Sequence, residues 1–261
     1  MRISLSGSRV LVTRPQQDAR SLVKKISNAG GIALAAPTLA IHPRPLTAEL
    51  RTIVGRLKSN DLAIFVSKNA ARLGLAIIDS VGQSLSDLTV CAVGPGTKSV
   101  LTAAGVDGVI VPQRDFSSDG LLALKQLSSA SVKDRQVIIF RGVGGREDLR
   151  SALLKRGASV EYCEVYERTP AGVSIAKVLA EYQLNEPDIA IITSLEGLAA
   201  FANKIDEEKL ERLYDTPLLV VGRRIAREVP GFGFTTDPII VDNLADETIL
   251  DALNNWIRKR T

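Results

Sequence analysis

The chain has 261 residues, 45% of them hydrophobic and 24% charged, and a formal net charge of +4. That length and balance suit one or two soluble domains with a sizeable core, and argue against a disordered chain. No apolar run approaches the roughly 18 residues needed to span a membrane. The Lys and Arg residues are scattered without interleaved aromatics, which gives nucleic-acid binding no support.

The start, "MRISLSGSRVLVTRP", lacks the apolar stretch of a signal peptide. Within it "RVLVT" (9–13) predicts a strand, and Gln16 to Asn28 an amphipathic helix ending at Gly30-Gly31. "APTLAIHPRP" (36–45) is proline-rich and reads as a connector. The short apolar runs "LAIFV", "VCAV", "GVIV", "VIIF", "SVEYCEV", "IAIIT", "LLVV" and "PIIV" follow, most of them separated by helical periodicity. "EVYERTPAG" (164–172) reads as a second connector, and the basic "IRKR" (257–260) suits a helix C-terminus. Near-continuous apolar strands alternating with helices predict an α/β fold with parallel sheets covered on both faces. Cys91 and Cys163 both lie in strand-like runs and read as reduced core residues, which places the protein in the cytosol.

The chain also repeats itself. "DLAIFVSKNAARL" and "DIAIITSLEGLAAF" share Asp61/Asp188, Ala63/Ala190, Ile64/Ile191 and Ser67/Ser194, all 127 positions apart. "RVLVTRP…SLVKKISNAGG" and "QVIIFRG…DLRSALLKRGA" share Val10/Val137, Arg14/Arg141, Leu22/Leu149 and Gly30/Gly157, again 127 apart. "CAVGPG" and "LVVGRR" align Val93/Val221 and Gly94/Gly222, 128 apart. Three blocks at nearly one offset imply an internal duplication and two similar α/β units. The two connectors fall at matching places in the repeats. If the chain crosses at both, residues 1–36 plus 171–261 form one domain and 41–165 the other, with 37–40 and 166–170 as connectors.

The turns after the strands are the candidate site. "RGVGGRE" (141–147) is the most glycine-rich, and Gly142, Gly144 and Gly145 would leave backbone N–H groups free near a helix start, as an anion cradle does. A dinucleotide fingerprint needs a third glycine where Glu147 stands, and no P-loop ending occurs. The bland alternative is a tight turn. "TRPQQ", "VSKNA", "AVGPGT", "TSLEG" and "VVGRR" occupy equivalent positions, and in open parallel sheets ligands bind outside the carboxyl ends of strands. Singly, Ser67, Thr97 and Ser194 read as helix N-caps; six such turns on two units suit a shared cleft. The single histidine, His42, lies in a connector with no acidic partner nearby in sequence and reads as a surface residue. No His/Cys set has metal-ligand spacing, neither cysteine has a nucleophile motif, and G-x-S-x-G is absent. The residues thus point to no metal, triad or nucleotide cofactor. From pattern alone Tyr166 is packing rather than chemistry.

"VLVTRP", "FVSKNAA", "AVGPGT", "RGVGGREDL", "VYERTP", "TSLEGL" and "VVGRRIA", in this order over almost the whole chain, resemble the uroporphyrinogen-III synthase family. The resemblance implies two α/β domains joined by a two-stranded connector, one built from both chain ends and one from the middle. It implies an enzyme, a lyase, that closes the octacarboxylate hydroxymethylbilane with loss of water and inversion of ring D through a spiro intermediate. The product is uroporphyrinogen III, a haem precursor, and no cofactor is used. It implies a cytoplasmic enzyme with a small-molecule substrate and no membrane or nucleic-acid partner; we expect a monomer. The family's active tyrosine falls on Tyr166, although Glu167, Arg168 and Thr169 follow it where the family has x-Thr directly. The candidate substrate-binding residues are Arg14, Ser67, Asn69, Gly94, Thr97, Ser118, Arg141, Gly142, Gly144, Gly145, Arg146, Ser194, Glu196 and Gly197, with Arg141 and Arg146 supplying positive charge. The rival readings are a non-catalytic cytosolic binding protein for a small anion and a nucleotide-dependent α/β enzyme.

Overall fold

The computed structural model describes residues 3–57 and 61–259, so the basic residue Arg260 of "IRKR" lies outside the described residues. In chain order the regular elements begin with β1 (Arg9–Val12), α1 (Gln16–Asn28), β2 (Ile32–Ala35), β3 (Leu39–Pro43), α2 (Ala48–Gly55), β4 (Leu62–Phe65) and α3 (Lys68–Ser80). Then come β5 (Thr89–Ala92), α4 (Pro95–Ala103), α5 (Ser118–Leu122), α6 (Ser129–Val132), β6 (Gln136–Gly142), α7 (Asp148–Lys155) and β7 (Ser159–Pro170). The last are α8 (Ile175–Glu181), β8 (Ile189–Ile192), α9 (Leu195–Glu208), β9 (Leu218–Val221), α10 (Arg223–Glu228), β10 (Ile239–Val241) and α11 (Asp246–Arg258). No helix among the described residues is long and apolar enough to cross a membrane.

The chain divides into two compact units, one of Met1–Ala40 with Thr169–Thr261, the other of Ile41–Arg168. The first holds a parallel sheet in the order β10-β9-β8-β1-β2. The second sheet runs β3-β7-β6-β4-β5, parallel from β7 to β5. β3 runs against β7: the amide of Arg44 donates to Val165 O, and that of Ala171 to Thr38 O.

The two sheets share not only strand order but register. Val10 opposes Ala33 and Ile189 in the first sheet; 127 residues on, Val137 opposes Val160 and, in the repeat's other half, Leu62. The repeated apolar positions therefore meet the same partners in both copies. One expected strand differs. "GVIV" contributes only a bridge between Ile110 and Cys91. The amide of Ile110 donates to Val90 O and Ala92 donates to Ile110 O. The next donor in that ladder would be residue 112, which is a proline and has no N–H.

Each sheet is buried on both faces, as near-continuous apolar strands require. Along β4, Ala63 and Phe65 join one core cluster and Leu62 and Ile64 the other. Along β6, Ile138 and Phe140 face the first and Val137 and Ile139 the second. Leu11 and Val10/Val12 divide β1 in the same way. Cys91 and Cys163 are free, buried thiols, and burial pushes both pKa values up to about 12.

Phe65 and Phe140, cross-strand partners, stack at 4.5 Å between ring centroids. Helix α3 crosses over this pair at Gly74, where a Cβ would stand 2.7 Å from Phe140 Cδ1 and 3.0 Å from Phe65 Cε1. An alanine there gains about 1 kcal/mol of helix propensity but overpacks two fully buried rings, which costs about 1–3 kcal/mol. Gly74→Ala should therefore lower the urea midpoint followed by circular dichroism. An unchanged or raised midpoint would mean that the rings move aside at little cost.

Candidate functional site

In both sheets the strand order reverses at one point, between β1 and β8 in the first unit and between β6 and β4 in the second. The crevice outside the carboxyl ends of such strands is where doubly wound sheets bind ligands. In the second unit, β4 ends at Phe65 and Ser67 caps α3, its Oγ accepting from Ala70 N at 3.0 Å. β6 runs on to Gly142, and β7 passes beside it.

The pairing of β6 with β7 shifts at this end: Arg141 opposes Glu164, but Gly142 opposes Tyr166. One residue, Val165, is thus extra, as in a β-bulge. The shift decides where the tyrosine goes. Val160 and Tyr162 pack on one face of the sheet and Cys163 and Val165 on the other. Strict alternation would return Tyr166 to the Tyr162 face; the bulge keeps it with Val165 instead. Val143 N donates to Tyr166 O at 2.8 Å and fixes the backbone there.

From β7 the phenol must pass β6 to reach β4, and Gly142 gives it room. A Cβ at 142 would lie 2.5 Å from Tyr166 Cε2 and 2.7 Å from Cζ. The ring is 4% exposed, and its hydroxyl stands 3.2 Å from Ser67 Oγ. Arg168, next on the same side of β7, folds back and donates from Nη1 to the same oxygen at 3.1 Å. Its guanidinium carbon is 5.4 Å from the ring centroid. The site is therefore one phenolic hydroxyl with two side-chain neighbours at a carboxyl sheet edge. Sequence reasoning missed Arg168. The available signal was its spacing of two from Tyr166, which puts both side chains on one face of a strand.

Other candidate residues fare differently. Arg141 is not a free grip for a carboxylate. It is buried, its Nε donating to Gly142 O at 3.1 Å and its Nη1 reaching Arg146 O and Glu147 Oε1, both at 3.3 Å. Its Nη2 stands 2.8 Å from where a Cβ of Gly145 would be, and its guanidinium lies 4.2 Å over the Tyr162 ring. The expected anion cradle is thus filled by the strand's own arginine. Gly144 and Gly145, both at positive φ, wrap around it. The helix α7 then starts with Glu147 as its N-cap and Asp148 as its first residue, the sign opposite to an anion site's needs. Arg146 is exposed and pairs with Asp148 at 2.6 Å.

Arg14 repeats this in the first unit. It is buried, donating to Leu244 O at 3.0 Å and to Asp246 Oδ1 at 3.1 Å. Burial pulls its pKa below the usual guanidinium value, and Asp246 offsets part of that. Thr97 is buried inside α4, whose N-cap is Gly94. Gly94 lies against Phe116, 3.2 Å from its Cβ to where a glycine Cβ would be. Ser118 is the first residue of α5, and the cap is Ser117. Asn69 is buried and accepts from Arg72 at 3.4 Å. Ser194 caps α9 by accepting from Gly197 N at 2.9 Å, with Glu196 in the first turn. His42 is exposed on β3. A depression of about 400 Å³ elsewhere on the second unit is bordered by Arg44, Arg150, Glu161, Tyr162 and Glu164. Neither Ser67 nor Tyr166 lines it, and two of its carboxylates are already paired, Glu164 with Arg44 at 3.5 Å and Glu161 with Arg56 at 2.8 Å.

Fold and site together define the class: an α/β protein of two doubly wound units, with a polar constellation at the carboxyl edge of one sheet. The chain belongs to the uroporphyrinogen-III synthase family, because the family model described as "Uroporphyrinogen-III synthase HemD" matches residues 20–251. It is 28% identical over 246 residues to uroporphyrinogen-III synthase of Escherichia coli, covering 94% of this chain and 99% of that one. It is 30% identical over 160 residues to the Proteus mirabilis synthase, covering 61% and 79%. The fold matches a crystal structure of a mutant Thermus thermophilus uroporphyrinogen III synthase at a TM-score of 0.62 and 18% identity, over 96% of this chain and 98% of that one. It matches the Helicobacter pylori enzyme at 0.59 and 14%, over 97% and 100%.

The Tyr162 phenol, which donates to Glu147 at 3.0 Å, has its pKa pushed up to about 12, first by burial and then by that bond. The native protein thus keeps a proton that the unfolded chain loses above pH 10. Its contribution to stability is complete below that pH and is lost as pH rises toward 12. Between those limits the wild-type midpoint should fall more steeply than that of Tyr162→Phe. Parallel slopes would show that Tyr162 titrates alike in both states.

Proposed function

We propose that this chain acts as a uroporphyrinogen-III synthase, closing hydroxymethylbilane with loss of water and inversion of ring D to give uroporphyrinogen III. The observation that carries the reading is the Tyr166 hydroxyl, held beside Ser67 across Gly142, in a chain of this family. The reaction suits so sparse a site. The nitrogen of an electron-rich pyrrole pushes electrons toward the hydroxymethyl carbon, so the C–O bond breaks once the departing oxygen receives a proton. Tyr166 supplies that proton. The harder task is regiochemical, because the free bilane closes head to tail without inversion. Ring D must be held so that its substituted carbon attacks first, forming the spiro intermediate, and this is catalysis by orientation.

The substrate's carboxylates call for N–H donors and cations. Arg146 and Lys68, both exposed in the second unit, are the groups we assign to them, Arg146 exchanging its surface partner Asp148 for the substrate; Arg14 and Arg141 are already committed within the fold. The same reading takes the enzyme as a cytoplasmic monomer that turns over a small molecule without nucleic acid. The two buried cysteines, both kept as thiols, support a reducing compartment.

Purified protein given freshly prepared hydroxymethylbilane should yield mainly isomer III after oxidation and separation. Isomer I alone, at the protein-free rate, would leave the anion-binding reading in front. Tyr166→Phe should fold normally and lose about a hundredfold or more in kcat. Gly142→Ala, whose Cβ occupies the ring's place, should lose a comparable share. A Tyr166→Phe enzyme with near-normal kcat would remove the phenol from the mechanism.

A further inference from the structure

We propose that Arg168 is a positioning residue of this reaction: together with Ser67 it forms a two-donor pocket for the Tyr166 oxygen and stabilises the tyrosinate that forms as the phenol gives up its proton. The proposal rests on the synthase reading above. A guanidinium only donates hydrogen bonds, so the 3.1 Å contact from Arg168 Nη1 makes the phenolic oxygen an acceptor. The phenol's own proton must then point elsewhere. Ser67 Oγ, 3.2 Å away, already accepts from Ala70 N. Either hydroxyl of that pair could donate, and we take Ser67 as the donor, its one proton turned toward Tyr166. With Arg168 and Ser67 both donating to that oxygen, the Tyr166 proton is left for the ligand.

The step balances. The C–O bond of the hydroxymethyl group breaks with the pyrrole nitrogen supplying the electron pair, and the departing oxygen takes the Tyr166 proton and leaves as water. Tyr166, itself buried, is left as tyrosinate, its charge facing the half-buried guanidinium of Arg168 and hydroxyl of Ser67. Such preorganised donors act where charge develops rather than on the ground state. When the ring carbon attacked in the final closure loses its proton to restore the pyrrole, that proton returns to the tyrosinate, and the enzyme is reset.

Two features favour this over a packing role. Arg168 folds back along its own strand to the phenol rather than extending away, and it does so only because Gly142 leaves space, since a Cβ there would stand 2.8 Å from Arg168 Nη1. The bulge that turns Tyr166 onto this face turns Arg168 with it, so one irregularity places both groups.

The test is steady-state kinetics on hydroxymethylbilane with isomer analysis. Arg168→Met should lower kcat by about tenfold to a hundredfold with KM nearly unchanged, near the loss seen when one preorganised donor is removed. Guanidinium chloride, on the order of tens of millimolar and far below denaturing levels, should restore part of that kcat. In a Tyr166→Phe background the same substitution should cost nothing further, because there is no tyrosinate to stabilise. Equal losses in both backgrounds, or a raised KM at unchanged kcat, would overturn the proposal and make Arg168 a substrate contact. Should Arg168→Met fail to fold by circular dichroism, Arg168→Gln and Arg168→Lys carry the same comparison. A wild-type protein that gives only isomer I would remove the activity and the proposal with it, an outcome distinct from an active wild type with additive variants.

Discussion

The site depends on one close approach, the passage of the Tyr166 ring over the backbone of Gly142. A phenol on β7 can meet a cap residue after β4 only if the strand between them carries no side chain at that level. Several other features converge on this contact. The bulge at Arg141/Gly142 sets the face on which the ring emerges. Arg141, buried beneath the glycine turn, holds the loop carbonyls so that the strand ends where it does. The Phe65–Phe140 stack, clasped by α3 at Gly74, fixes β4 against β6 immediately below. Displacing any of these moves the hydroxyl relative to Ser67, and a shift of about 1 Å is already costly where catalysis is by orientation.

The repeated halves show which features belong to the fold and which to the chemistry. Arg14 and Arg141 occupy equivalent positions in the repeat, Arg14 just past β1 and Arg141 near the end of β6, and each ties that strand end to a loop carbonyl and an acid near a helix start. Being buried and bonded alike in both copies, they are struts of the architecture; a buried guanidinium is tolerable only with such partners. Ser67 and Ser194 are likewise equivalent, capping α3 and α9 through the amides of Ala70 and Gly197. The copies part at the phenol. The positions 127 residues before Tyr166 and Gly142 hold Leu39 and Pro15. The same cap is therefore a bare helix start in one unit and a neighbour of a buried phenol in the other. This divergence is the ground on which we assign the proposed chemistry to the second unit.

Much of the architecture was legible in the chain because it rests on local pattern. Continuous apolar runs bespeak two-sided burial, and the offset of 127 that aligns Val10 with Val137 also reproduces their pairing partners. What stayed hidden depends on pairing across strands. No local pattern reveals that β6 skips Val165, because a bulge is a property of two strands, and without it Tyr166 reads as one more inward-facing residue. The glycine turn misled for a related reason. Gly144 and Gly145 do take the positive φ that a cradle needs, but what fills a cradle is decided in three dimensions, here by Arg141 curling back. Thr97 failed as a cap because Gly94 begins α4 earlier, with Pro95 at its first position, where a missing N–H costs nothing.

These points bear on why a reaction of this difficulty is served by so few groups. A hydroxymethylpyrrole is poised to ionise, so an enzyme gains little from strong acids or metals and much from deciding which carbon bonds first. Selection for geometry favours rigid parts, and the parts found are rigid: a nearly fully buried ring, a strand end tied by a buried arginine, and a capping serine whose second role follows from its first. In the mechanism proposed above, the phenol gives up its proton only as the leaving oxygen takes it, which couples that step to correct placement. On that proposal the donors around its oxygen act on the tyrosinate as its charge develops.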